Sequence, residues 1–130
     1  MTPGEGYEGL LAVHCDMGLE DRDDLARVHQ WTQAVLESHQ PVPAPERVRD
    51  VLLVLDELAS NALLHGTGRR RVVLAVQPDV ALLEVADDNP EPAALRVDGM
   101  GLQLVDDLSS RWGQRSTGSG KTVWARVAIS

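Results

Sequence analysis

The amino-acid sequence predicts an α/β domain of the α+β two-layer kind, with a mixed, mainly antiparallel sheet and helices packed on one face. Three observations carry that expectation. Two long segments near the start repeat their apolar residues at helical spacing. Two β-branched segments follow, joined by a turn. A short helix and a second turn-linked strand pair close the chain.

In order, Gly9 to Cys15 is a short Leu- and Val-rich run that reads as a first strand. From Asp21 to His39, Leu25, Val28, Thr32, Val35 and Leu36 recur at helical spacing, and Asp21, Asp23 and Asp24 place negative charge at the helix N-terminus, where the backbone dipole favours it. Pro41, Pro43 and Pro45 interrupt the pattern, and Pro45 suits the first turn of a second helix that runs to His65 and stops at Gly66. Arg70 to Gln77 and Val80 to Ala86 alternate around Pro78-Asp79 as a hairpin. Asp88 to Gly99 is Pro-containing and aperiodic. A helix from Gly101 to Leu108, a strand from Arg111 to Arg115, a turn at Ser116 to Gly120 and a strand from Thr122 to Ile129 complete the chain. There is no internal repeat or low-complexity stretch.

The 130 residues amount to one domain, 1–130, expected to hold the whole function. A net charge of −8, with Lys121 the only lysine against eleven arginines, argues against attraction to nucleic-acid phosphates or anionic lipid. Phenylalanine is absent, and Tyr7, Trp31, Trp112 and Trp124 are too scattered to stack unpaired bases. Cys15 is the single cysteine, so neither an internal disulfide nor a thiolate zinc site can form. Met1 to Gly9 carries Glu5 and Glu8 and lacks the pattern of a secretory signal, and no apolar run approaches the roughly 20 residues that span a bilayer. The expectation is a cytoplasmic protein that binds neither nucleic acid nor membrane.

On a helical wheel the second helix gathers Val48, Val51, Leu52, Leu55, Leu58, Ala59 and Ala62 on one face. Glu57 and Asn61 fall on roughly the opposite side, flanked by Leu53 and Leu64. Residues four apart share a direction, so this pair offers a carboxylate for proton abstraction beside an amide oxygen suited to magnesium. Position alone fits two ordinary exposed polar residues on an amphipathic helix better than a site. The whole string Leu55-Asp56-Glu57-Leu58-Ala59-Ser60-Asn61-Ala62-Leu63-Leu64-His65-Gly66, however, resembles the N-box of the GHKL (histidine-kinase-like ATPase) superfamily.

Three further boxes follow in that family's order. Val85-Ala86-Asp87 stands where the family places the aspartate that accepts a hydrogen bond from the exocyclic amine of adenine, although Asn89 and Glu91 occupy positions usually held by glycine. Gly99-Met100-Gly101-Leu102 resembles the phosphate-contacting box, where glycine lets backbone N–H groups approach an anion at a helix N-terminus. Only about a dozen residues separate it from Asp87, a shorter lid than the family's. Gly120-Lys121-Thr122-Val123 resembles the last box, whose threonine lies beside the adenine aspartate. A P-loop reading of Gly118 to Thr122 fails, because Arg115 stands where its first glycine belongs and the segment leads into a strand. The glycine-rich loop, HRD and DFG elements of protein kinases are missing. His14, His29, His39 and His65 show no metal-ligand spacing.

The resemblance implies the Bergerat fold, with ATP and Mg2+ as cofactors. Glu57 would be the base, Asn61 the magnesium ligand, Asp87 and Thr122 the adenine contacts, and Gly99, Gly101 and Leu102 the phosphate box. Glutamate at position 57 differs from the asparagine usual in sensor histidine kinases, and gyrase-, MutL- and Hsp90-like members work through additional domains. Among the family's members the chain is therefore similar to the stand-alone anti-sigma-factor kinases of actinobacterial type. That similarity implies serine/threonine kinase activity on an anti-anti-sigma partner with a STAS fold, binding of a sigma factor, and often a homodimer. The short lid and the two missing glycines keep an alternative open, a nucleotide-dependent protein-binding module that transfers no phosphate.

Overall fold

Helix formation begins where a side chain can satisfy the first unpaired backbone donors. The Asp21 carboxylate accepts from the Asp24 N–H at 2.9 Å and so caps α1, Arg22–Ser38. In the computed structural model, which describes residues 13–93 and 101–130, α1 follows β1 (Val13–Gly18). It precedes α2 (Pro45–His65), β2 (Arg71–Val76), β3 (Val80–Asp87), α3 (Gly101–Leu108), β4 (Arg111–Ser116) and β5 (Lys121–Ala128). Replacing Asp21 with alanine is expected to cost about 1 kcal/mol and lower the thermal midpoint by about 4 °C, checked by calorimetry.

The five strands form one sheet in the order β1-β2-β3-β5-β4, and every neighbouring pair is antiparallel, so the mixed element allowed by the sequence is not found among them. The first strand also lies further along than expected. Residues 9–12 fall outside the described residues, and the ladder continues past Cys15 through Asp16, Met17 and Gly18, opposite Val73, Val72 and Arg71. Pairing with the β-branched edge of β2 outweighs the poor strand preference of Asp and Gly. For the same reason β5 starts at Lys121, one residue early, where it meets Asp87 at the end of β3.

Strand alternation divides the sheet into two faces. Val72, Leu74 and Val76 of β2, Ala81, Leu83 and Val85 of β3, and Val123, Ala125 and Val127 of β5 join the apolar faces of all three helices in one cluster. The opposite face is not a solvated one: Val73, Ala75, Leu82 and Trp124 are buried too. There the Trp124 ring lies so close to Gly113 that a Cβ would stand 2.9 Å from it, and the Arg111 guanidinium sits 6.0 Å from the ring centroid. None of the described helices is long and apolar enough to cross a membrane.

Candidate functional site

Glu57 and Asn61 are half-buried on α2, between exposed Leu53 and Leu64 on one side and the fully buried Val54 on the other. Val54 is not among the apolar residues that the helical wheel gathers on one face. It lies seven residues before Asn61, two turns along the same side of the helix. The core arc is therefore wider than the wheel implied, and the polar pair sits at its margin, not opposite it. The signal lies in the sequence, because Val54 is as apolar as its neighbours and extends the stripe by one position around the helix.

The C-terminal end of α2 is fixed to the end of β3. Helix ends leave carbonyl oxygens without partners, and here side chains from the following segment supply donors. Arg70 donates from Nε to the Ala62 carbonyl at 2.7 Å and from Nη2 to the Gly66 carbonyl at 2.9 Å. Asn89 donates from Nδ2 to the His65 carbonyl at 2.9 Å, and the Asp88 N–H donates to the Thr67 carbonyl at 2.8 Å. Gly66 ends the helix for want of space and not for its freedom at positive φ. Its φ is −76°, and a Cβ would lie 2.5 Å from the Ala62 carbonyl oxygen and 2.8 Å from the Asp87 carboxyl carbon. Sequence reading missed Arg70 and the positive role of Asn89. The available signal was an arginine just past a helix C-terminus, where a cation meets the last carbonyls.

Asp87 itself is buried, and both oxygens of its carboxylate have a partner within the protein. Oδ1 accepts the Asn89 N–H at 2.7 Å, and the Lys121 ammonium lies 3.2 Å from Oδ1 and 3.1 Å from Oδ2. The same ammonium donates to the Asn89 carbonyl at 3.2 Å. The residue expected to be a missing glycine thus ties three groups together. Gly120 permits the close approach: a Cβ there would stand 2.2 Å from the Asp87 carbonyl oxygen. In the ladder Asp87 faces Lys121, while Thr122 faces Ala86. Thr122 is buried and alternates with the core residue Val123, so its side chain lies on the other face of the sheet from Asp87. Sequence order placed Thr122 beside the aspartate; strand alternation puts Lys121 there.

Gly101 opens α3, and Leu102 and Val105 bury themselves in the core and fix that helix beside α2. Gly99 lies outside the described residues. Gly118 has a φ of +84°, and the Thr117 N–H donates to the Gly120 carbonyl at 3.0 Å, which turns the chain into β5 and not into the helix a P-loop requires. His29 pairs with Asp56 at 3.0 Å between α1 and α2, and among the described residues no three His, Cys, Asp or Glu side chains gather as a metal-ion site. A cleft of about 460 Å3 lined by His29, Gln33, Val42, Val48, Leu53 and Asp56, among others, opens along the two helices. None of the described site residues expected from the sequence lines it.

With this geometry, solved structures of similar shape can be set beside the chain. The RsbU and RsbW domains of Rv1364c from Mycobacterium tuberculosis match it with a TM-score of 0.69 at 16% identity, over 88% of this chain. The fold is GHKL-like. The Acinetobacter baumannii histidine kinase AdeS shares that GHKL-like shape at a TM-score of 0.51 and 13% identity, covering 95% of this chain and 72% of its own. This chain spans 32% of the Rv1364c chain. No protein-family model matches the sequence, and no curated protein matches it.

Proposed function

We propose that the chain binds ATP with magnesium and transfers the γ-phosphoryl group to a serine or threonine of a small STAS-type partner, acting as an anti-sigma regulator. The observation that carries this is the pairing of Glu57 and Asn61 one turn apart on a helix whose far end is bonded to the loop that positions Asp87. The RsbW domain in the similar Rv1364c chain supports the choice of partner class, and glutamate at position 57 supports a hydroxyl acceptor over a histidine.

In the reaction, the acceptor hydroxyl oxygen forms the new P–O bond as the bond to the β-phosphate oxygen breaks and ADP leaves. Glu57 takes the hydroxyl proton. Asn61 fits magnesium as a single hard amide oxygen, which suits an ion that keeps waters and phosphate oxygens as its other ligands. Bound there, magnesium would neutralise phosphate charge. Asp87 would receive the base, and the phosphate box at Gly99, Gly101 and Leu102 would offer backbone N–H groups. Most of the rate gain would come from positioning and charge compensation.

The test is thermal unfolding with and without excess Mg-ATP, for the wild type and for Asp87→Asn, each against its own unliganded midpoint. Ligand at about 100 times its Kd stabilises the folded state by roughly 2.7 kcal/mol, a rise on the order of 10 °C for a domain of this size. The rise is expected in the wild type and is reduced in Asp87→Asn, whose amide leaves the buried Lys121 ammonium without its counter-charge at the strand end that meets the base; no rise in the wild type at millimolar Mg-ATP overturns the reading. The second reading, a binding module without transfer, is favoured by the engagement of Asp87 with Lys121. An acid-stable phosphate on a serine of the partner decides for the kinase.

A further inference from the structure

We propose that Lys121 sets both the affinity and the base preference of the pocket by holding Asp87 in a pre-formed ion pair. The inference rests on the nucleotide reading above and adds what the pocket's own cation does there. The two side chains face each other across the β3–β5 ladder and are 8% and 3% exposed for lysine and aspartate. An ammonium has three N–H donors, and here it meets Oδ1, Oδ2 and the Asn89 carbonyl at 3.1–3.2 Å. Oδ1 also accepts the Asn89 N–H, so the carboxylate keeps free accepting capacity chiefly on Oδ2.

A base amine reaching this carboxylate meets a group whose charge is already compensated. It gains an ordinary hydrogen bond in place of the stronger one that an unpaired carboxylate gives. The exocyclic amine therefore contributes little to binding in the wild type, and a purine bearing oxygen at that position binds almost as well. Replacing Lys121 with methionine keeps the length and removes the charge, so the amine becomes the main partner of the carboxylate.

The experiment is calorimetric titration of the wild type, Lys121→Met and Lys121→Gln with Mg-ATP and with Mg-ITP, which differs in carrying oxygen where ATP carries the amine. Wild type is expected to bind the two within a few fold. Lys121→Met is expected to bind ATP about tenfold tighter or more, roughly 1.4 kcal/mol, and to open a gap of similar size over ITP. Lys121→Gln retains a neutral donor to Asp87 and falls between them. If the buried carboxylate prevents Lys121→Met from folding, Lys121→Gln against wild type carries the test. ATP bound no tighter by the variants than by the wild type, or a tenfold preference for ATP already in the wild type, overturns the role of Lys121 and leaves the nucleotide site standing. No binding of ATP by any of the three proteins overturns the nucleotide reading itself, and this inference with it.

Discussion

Glu57→Gln is expected to reduce phosphoryl transfer to a STAS partner by about 10²- to 10⁴-fold while leaving Mg-ATP binding within a few fold of wild type. The amide keeps the shape and half-buried place of the side chain on α2 but cannot take the hydroxyl proton. Single-turnover transfer of labelled phosphate, with nucleotide affinity measured in parallel, separates the two effects. A rate unchanged in the variant removes Glu57 from the chemistry. Loss of binding together with rate assigns it to holding the pocket.

The largest expected structural effect lies at Gly120. Gly120→Ala places a methyl group 2.2 Å from the Asp87 carbonyl oxygen and 2.9 Å from the Asp88 Cα, and both are backbone atoms that cannot swing aside. Relief requires separating β5 from the end of β3, at a cost of about 3 kcal/mol, read from the denaturant midpoint. The strain falls on the strand that presents Asp87, so nucleotide affinity is expected to fall with it. Gly118→Ala is the contrast. Nothing lies within 4 Å of a Cβ there, and its φ of +84° alone sets the cost, about 1–2 kcal/mol. Similar midpoints for the two variants would show that the contact at Gly120 is softer than its geometry indicates.

The order of elements was legible because each rests on a local rule. Helical spacing found α1 and α2, turn residues found the β2–β3 hairpin, and α3 began at Gly101 as expected. What escaped were consequences of pairing. Asp16 to Gly18 became strand because β2 was available beside them, and β5 took in Lys121 because it faces Asp87. In the site, Glu57 and Asn61 share a face of one helix, a relation that sequence spacing fixes. The neighbourhood of Asp87 depends on register between two strands, and a motif read in sequence order cannot say which of two adjacent residues points the same way as the aspartate. Hence Thr122 was expected where Lys121 stands. Asn89, read as a departure from a glycine pattern, proved to be a tie between strand end and helix end.

That tie has a consequence for what the site can measure. Asn89 bolts the last turn of α2 to the strand end that carries Asp87, Arg70 bolts it to the start of β2, and from Gly66 back to Glu57 is about 14 Å of helix at 1.5 Å per residue. A helix does not stretch, so the interval between the Asp87 and Glu57 carboxylates, proposed above to meet the base and the acceptor, is a fixed gauge. In the proposed reading a diphosphate seated at Asp87 stops one phosphate short of Glu57, and sliding of either end cannot close that gap.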